Sequence, residues 1–329
     1  MRRLLITGGA GFIGASFVHH WAHHHPNDRL LILDAMSYAA DKKNLDGLPD
    51  HCDWQLVEGN ICDATLLDQL FNRQAIDTVV HFAAESHVDR SISGPAPFMD
   101  SNINGTFQLL EAARRHWQDR RPDEVRFHHI STDEVYGSLS LEDPAFSEDS
   151  PYDPSSPYSA SKAASDHLVR AWHRTYGLPI TLSNCCNNFG PRQYPEKLIP
   201  VVIRKAINGE AIPVYGDGSN VREWLYVDDH SRAVQAIIER GEVGRSYNVG
   251  SGLELSNIEL VKRLCAKLDQ IQPRADGHSY QEQIQFVTDR PGHDLRYAIN
   301  SKRIHTELGW QPSVDFEDGL AETLRWYLD

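Results

Sequence analysis

The stretch Thr7–Gly14, "TGGAGFIG", decides the fold. It follows an apolar run, "RRLLIT" (2–7), and opens a segment of helical pattern. Its glycines, Gly8, Gly9, Gly11 and Gly14, satisfy both G-x-G-x-x-G and G-x-x-G-x-x-G. Glycines so spaced permit a tight turn, let backbone approach a pyrophosphate and allow close helix–strand packing. The helix start then offers free N–H groups and a positive dipole end to the phosphates. A glycine pattern alone is weak, since a merely structural Gly-rich turn reads the same way. Here a strand before it, a helix after it and Asp34, twenty residues beyond Gly14, all agree. Asp34 ends the second apolar run, "RLLILD" (29–34), where a carboxylate accepts both ribose hydroxyls and repels a 2′-phosphate. That favours NAD over NADP.

Outward from this stretch, β-rich runs alternate with helical patterns. The further runs are "DWQLVE" (53–58), "DTVVHFAA" (77–84), "VRFHHIST" (125–132) and "PITLSN" (179–184). They have few polar interruptions, as expected for strands buried on both faces of a parallel sheet. Ile103, Phe107, Leu110 and Trp117 mark one face of a helix. Another helix is predicted from about Tyr158 to Tyr176, stopped by Gly177. The alternation implies an α/β fold with a doubly wound parallel Rossmann sheet. After about Gly190 the chain turns Pro- and Gly-rich, as in "FGPRQYPEKLIP" (189–200) and "IPVYGDGSNVREW" (212–224). The expected division is a nucleotide-binding domain over 1–188 and a smaller C-terminal substrate-binding domain over 189–329. A late strand near 225–250, in "RSYNVGSG" (245–252), is expected to return to the first domain.

Bulk properties narrow the function. The 329 residues carry a net charge of −14. That argues against nucleic acid or an anionic membrane surface as the main partner, and any anionic substrate needs a local basic clamp. The five cysteines have no CxxC spacing, which speaks against a disulfide framework or a zinc site, and no metal is expected. A reducing cytosol is the expected compartment. The start "MRRLLIT" is too short in apolar length for a signal peptide. No run of about 18 apolar residues suggests a membrane span.

Two constellations carry chemistry. "YSASK" places Tyr158 and Lys162 four apart, on one helix face. The lysine can lower the phenol's pKa, as can an oxidised nicotinamide, making the phenolate a base for a sugar hydroxyl. "YAADK" gives Tyr38 and Lys42 the same spacing, but near the adenosine end, so it reads as coincidence. The second constellation is "STDEVYG" (131–137), where Asp133 and Glu134 follow Thr132 at the end of a buried run. Standing alone it reads equally well as an acidic polar turn. In a regular strand the two acids would point to opposite faces. Both can reach one substrate only if the chain bends out of the strand there.

The chain resembles the extended short-chain dehydrogenases, and within them the dTDP-glucose 4,6-dehydratases. The resemblance covers nearly the whole chain. It rests on "TGGAGFIG", "HFAAESHVDRSI", "FHHISTDEVYG", "SSPYSASKAASDHLVRAW", "NNFGPRQYPEKLIP", "VREWLYVDDH" and "DRPGHDLRYAI". Thr-Asp-Glu is its specific element: related 4-epimerases lack the acidic pair, and related decarboxylases and GDP-mannose dehydratases usually carry Thr-Ser-Glu. The resemblance implies a lyase that oxidises the sugar at C4, eliminates water across C5 and C6 and returns the hydride to C6. Thr132, Asp133, Glu134, Tyr158 and Lys162 would be catalytic. Glu134, ionised, would remove the C5 proton. Asp133, protonated, would serve the departing C6 hydroxyl, its pKa raised by burial and its acidic neighbour.

For the cofactor, NAD, the resemblance implies Gly8, Gly11, Phe12, Ile13, Gly14, Asp34, Asn60, Ile61, Ala83, Ala84, Ser86, Ser101, Tyr158, Lys162 and Asn188. Asn60 replaces an acid usual near the adenine amine, and Ser101 stands where many relatives have Thr. For the sugar nucleotide it implies Ser86, His87, Asn187, Lys197, Leu198, Pro213, Tyr215, Arg222, Asn257, Arg290 and His293, together with the three residues 132–134. Arginine suits a diphosphate because its fork donates two parallel hydrogen bonds, and surface ion pairing is the bland, less favoured reading of Arg222 and Arg290. The helices near 102–117 and 158–176 resemble the pair that forms a four-helix bundle in the family's homodimer. A UDP-sugar dehydratase remains the alternative, since thymine and uracil differ by one methyl group. A 4-epimerase is opposed by the acidic pair, and a non-catalytic NAD sensor by the intact tyrosine and lysine.

Other features stay unpromoted. His19, His20, His23, His24 and His25 read as a solvated helix end, where protonated rings suit the dipole. Cys185 and Cys186 read as small buried residues. Glu85 and Asp89 read as positioning residues.

Overall fold

The computed structural model describes residues 1–328. In chain order its strands are β1 (Arg3–Thr7), β2 (Arg29–Asp34), β3 (Asp53–Glu58), β4 (Thr78–His81), β5 (Arg126–Thr132), β6 (Ile180–Cys185), β7 (Asn187–Phe189), β8 (Ile212–Tyr215), β9 (Val221–Tyr226), β10 (Ser246–Val249), β11 (Glu254–Ser256) and β12 (Ile284–Val287). Its helices are α1 (Phe12–His24), α2 (Ala64–Gln74), α3 (Val88–Ser93), α4 (Ala96–Phe98), α5 (Thr106–Trp117), α6 (Pro157–Tyr176), α7 (Leu198–Ile207), α8 (Val227–Arg240), α9 (Asn257–Ile271), α10 (Lys302–Leu308) and α11 (Phe316–Leu328).

Seven strands form one parallel sheet in the order β10-β6-β5-β4-β1-β2-β3. Alternate side chains go to opposite faces of each strand, and both faces are covered. Leu5, Leu31, Leu33, Val79 and Phe127 meet α2, α5 and α6 on one side. Leu4, Ile6, Leu30, Ile32 and Val80 meet α1 and α8 on the other. This is why the central strands read as unbroken apolar runs. The winding reverses between β1 and β4, leaving a crevice beyond their carboxyl ends. The run "DTVVHFAA" is strand only as far as His81, and Phe82 to Ala84 leave the sheet to line that crevice.

A separate core gathers α7, β8, β9, α9 and α11 around Phe189, Ile199, Trp224, Leu260 and Leu320. Small sheets of β11-β9-β7 and β12-β8 belong to this part. Between them the chain goes back: α8 packs Val234 and Ile238 beside α1, and β10 pairs with β6.

Helix α6 begins with a capping box in which Ser156 and Ser159 satisfy each other's backbone N–H groups. It ends at Gly177, whose φ of 69° is the left-handed cap. The stripe read through Ile103, Phe107, Leu110 and Trp117 divides in the structure. Leu110 and Trp117 enter the core, whereas Phe107 lies at the edge of the apolar stripe, 36 % exposed and edge-on to Trp172 of α6. Ile103 precedes α5, in a wider π turn over Met99–Gly105.

Candidate active site

The crevice at the switch point is a cavity of about 410 Å³. Gly8, Gly11, Phe12, Ile13 and Gly14 form its floor, and Asp34, Asn60, Ile61, Ala83, Ala84, Ser86 and Ser101 line it. The glycines are needed for two separate reasons. Gly8 has φ +71°, and a Cβ on Gly14 would stand 2.2 Å from the Gly8 carbonyl oxygen. Asp34 sits at the tip of β2, accepting from the N–H groups of Ala10 (2.9 Å) and Met36 (3.0 Å). Burial raises its pKa and these two donors pull it back. Asn60 Oδ1 accepts from the Cys62 N–H at 2.8 Å, which fixes the side chain at the cavity wall. At the other end, Asn188 Oδ1 and Gln193 Oε1 are buried acceptors without partners among the described residues. Aligned N–H groups at a helix start, a carboxylate at the second strand and open acceptors at the far end fit a dinucleotide with a nicotinamide carboxamide.

The catalytic candidates converge on the same cavity: Thr132, Asp133, Glu134, Tyr158 and Lys162 all line it. Strand β5 ends at Thr132 and the chain turns at once into a 3₁₀ turn, Asp133–Tyr136. Thr132 caps that turn, its Oγ1 accepting from the Glu134 N–H at 3.3 Å. The turn breaks strand alternation and brings both acids to one side. Their electrostatics differ. Burial, then Glu134 and Glu223, push Asp133 well above the ordinary carboxylate range, and its Oδ2 is buried without a partner among the described residues. Burial also raises Glu134, but Arg222, Lys197 and Arg290 oppose it. The first is suited to hold a proton, the second to lose one.

Tyr158 and Lys162 sit one turn apart on α6, both buried. Lys162 Nζ donates to the Ile130 carbonyl at 2.8 Å. The expected lowering of the phenol's pKa is not what the protein alone produces. Burial, followed by Glu134 and Cys185, pushes Tyr158 well up, with the Thr132 hydroxyl acting the other way. Enclosure penalises a phenolate that faces two acids.

The remaining substrate candidates divide. Asn187 and Lys197 line the cavity, and Lys197 Nζ donates to the Ser86 carbonyl at 2.9 Å. His87, Leu198, Pro213, Tyr215, Arg222, Asn257, Arg290 and His293 are not part of its lining. Several of them form a second group outside it. Arg290 pairs with Asp89 at 3.1 Å, His293 with Asp289 at 2.7 Å, and the rings of His293 and Tyr215 lie 6.4 Å apart. Arg222 is no surface ion pair. It is 5 % exposed, lies 4.3 Å from the Tyr297 ring centre, and gives its NH groups to the carbonyls of Val221, Asp294 and Leu295. Its charge and that of Arg290 reach Glu134, which ties this outer group to the acids.

Lining or neighbouring groups missed from the sequence include Gln193, Glu196 and Glu223. Glu223 had one signal, its place beside Arg222. The histidines of α1 are a correction. His23 and His24 are exposed, but His19 bonds the Asn44 carbonyl (2.9 Å), His20 bonds Gln235 (2.6 Å) and His25 lies 3.1 Å from Glu239. Burial lowers the pKa of His19 and His20, so these two are packing groups that join α1 to its surroundings. Tyr38 also has a structural task, donating to Glu196 at 3.0 Å under the Arg90 guanidinium. Among the described residues no cluster of three metal-ligating side chains occurs, and no helix is long and apolar enough to cross a membrane.

Comparison with known proteins agrees with this geometry. Residues 5–323 match the family described as GDP-mannose 4,6 dehydratase. A dTDP-glucose 4,6-dehydratase of Xanthomonas campestris is 53 % identical over 100 % of the chain and 93 % of that protein. One from Haemophilus influenzae is 48 % identical over 100 % of the chain and 98 % of its own length. The solved structure of a dTDP-glucose 4,6-dehydratase from Streptomyces venezuelae, with NAD bound, superposes with a TM-score of 0.90 at 44 % identity, covering 99 % of this chain and 97 % of that one. A UDP-glucose 4-epimerase of Thermotoga maritima shares the fold at 27 % identity and a TM-score of 0.86, covering 99 % and 98 % of the two chains.

Proposed function

The chain belongs to the family described as GDP-mannose 4,6 dehydratase, and from that premise we propose that it converts dTDP-glucose to dTDP-4-keto-6-deoxyglucose. The observation that carries this reading is the 3₁₀ turn that sets Asp133 and Glu134 on one cavity with Tyr158, Asp133 raised by burial and two acids and Glu134 held back by three cations. NAD, which Gly8, Gly11, Gly14, Asp34 and Asn188 would hold, would supply the hydride chemistry, taking the C4 hydride and giving it back at C6.

The chain's residues divide the proton transfers. Tyr158 takes the C4 hydroxyl proton, with Thr132 hydrogen-bonding the same oxygen and Lys162 favouring the phenolate. The C4 ketone acidifies C5–H, and Glu134 removes that proton. Asp133 gives its proton to the departing C6 hydroxyl, which leaves as water. Lys197, Arg222 and Arg290 supply the basic clamp that a chain of net charge −14 needs for a diphosphate. On this reading residues 1–188, with the return over 225–250, hold the cofactor, and residues 189–329 hold the sugar nucleotide. Free thiols at all five cysteines support a cytoplasmic setting.

The homodimer is part of the same proposal. Phe107, Trp172 and Tyr176 form an aromatic group on the outer side of α5 and α6, with Phe107 36 % and Tyr176 54 % exposed. A second copy of this helix pair would cover it as a four-helix bundle.

The deciding experiment is separate incubation with dTDP-glucose and UDP-glucose, following loss of water by mass. Water loss from the thymidine substrate is expected. Turnover confined to UDP-glucose would transfer the assignment to a UDP-sugar dehydratase, and no water loss from either would overturn it.

A further inference from the structure

Asp166 lies one helical turn beyond Lys162, which lies one turn beyond Tyr158, so the three share a stripe of α6. Asp166 is fully buried, and a carboxylate in such a place must be held by partners. Ser131 Oγ on β5 and the Tyr152 hydroxyl each donate to its Oδ2 at 2.8 Å. Asn184 Nδ2 on β6 reaches the same oxygen at 3.3 Å and also donates to the Thr132 carbonyl at 3.1 Å. His129 Nε2 stands 3.1 Å from Oδ1, and Arg170 donates to the Tyr152 hydroxyl at 2.8 Å. Burial pushes the Asp166 carboxyl up, but His129, the charge of Lys162 and the Ser131 hydroxyl outweigh it and hold it below its ordinary value.

His129 does not balance this anion. Burial takes its pKa down to about 4, so it is neutral near pH 7. Lys162 faces the same question from the other side. Burial of its ammonium, which donates to the Ile130 carbonyl, favours losing the proton, and Asp166 heads the charges that oppose this. The other groups around it are neutral near pH 7: the Tyr158 phenol on its own helix, His81 on β4, His129 on β5 and Cys185 on β6, a thiol pushed up to about 12. Among the described residues that act on Lys162, Asp166 is the one anion.

We propose that Asp166 is a positioning residue that keeps Lys162 protonated, and that through Lys162 it sets the basicity of Tyr158. The inference rests on the roles given above to Tyr158 and Lys162. It also accounts for the hydrogen bond between Asn184 and Thr132, since the network that holds Asp166 fixes the strand end from which the acids turn.

The test is Asp166→Asn, which keeps size and one acceptor oxygen for Ser131 and Tyr152 but removes the charge. Burial then acts on Lys162 unopposed and its proton leaves at lower pH. In single turnovers, read from the absorbance of the bound reduced cofactor, the alkaline limb of sugar oxidation should move down by about 1–3 pH units. Asp166→Glu, which restores a charge, should return the limb toward the parent. A merely structural Asp166 would lower thermal stability and the rate at every pH without moving the limb, and a stationary limb in soluble Asp166→Asn overturns the inference. Should that variant not fold, nitrogen NMR of the lysine side chains in the parent holoenzyme decides, with Lys162 assigned from Lys162→Arg. An ammonium that persists through neutral pH supports the inference, and a neutral amine at pH 7 overturns it. A parent that forms no reduced cofactor with either sugar nucleotide sinks the reading of the site itself, whereas a reactive parent with an unmoved limb sinks only the role of Asp166.

Discussion

Asp133 and Glu134 are neighbours in the chain with different electrical surroundings, and their variants should fail in different ways. Glu134→Gln should still oxidise C4 but stall before elimination, so bound reduced cofactor accumulates and C5–H exchange with deuterated water falls. Asp133→Asn should keep C5 exchange while water loss slows, because an amide cannot deliver the proton. Both would look merely slow in a steady-state assay. Exchange as fast as the parent's in Glu134→Gln would mean that base and acid are to be swapped. The pH dependence has a definite sign. Glu134 must be ionised to act and burial raises its pKa, so C5 exchange should switch on as pH rises through a value above that of a free glutamate. Arg222 is the first of the groups opposing that rise. Arg222→Gln should therefore carry the acidic limb of C5 exchange to higher pH, and an unmoved limb would show that its charge does not reach the base. Tyr158→Phe should lose C4 oxidation by at least ~10²-fold. That Thr132, Asp133, Glu134, Tyr158 and Lys162 would meet at one cavity was legible through the resemblance, which rests on local patterns. The raised phenol pKa and Glu223 were not, because both depend on what distant segments enclose.

Elements place those residues, and their ends are where local chemistry acts. The start of α1 depends on Gly14, where a Cβ would meet the Gly8 carbonyl at 2.2 Å. Gly14→Ala should push α1 off the turn, and the purified protein should lose most of its copurifying NAD. Retention of a full complement would show that the turn can relax. The start of α6 depends on Ser156, two residues before Tyr158. Ser156→Ala should cost about 1 kcal/mol of stability, measurable in denaturant unfolding. Strands β1, β2, β5 and β6 were legible nearly to their ends, because burial on both faces writes a continuous apolar run, whereas β3 is a largely exposed edge strand. The early end of β4 was hidden, because cavity-lining residues are as apolar as strand residues. The split of the 103–117 stripe was hidden as well. An apolar residue at the edge of a helix stripe looks the same whether it meets the core or a partner surface.

At the scale of the molecule, the aromatic group on α5 and α6 makes association testable. Phe107→Glu should move the protein from dimer to monomer in sedimentation at micromolar concentration, and an unchanged species would remove α5 and α6 from the interface. The second core draws its residues from Phe189 onward, where the sequence turns Pro- and Gly-rich. The grouping of Arg222, Arg290 and His293 outside the cavity was not legible, because β9 and the segment around residue 290 meet only through tertiary folding. The return of the chain has a consequence for how this protein can be made. The edge of β6 is closed only when β10 arrives, and the face of α1 bearing Phe17 and Trp21 is completed only when α8 arrives. A ribosome must therefore run on to Val249, well into the second part, before the first can close. Until then an open strand edge and an uncovered apolar face are offered to other chains. A fragment cut after residue 188 should aggregate on synthesis, while one extended to residue 250 should be more soluble. The nucleotide-binding half is contiguous in space but not in time of birth.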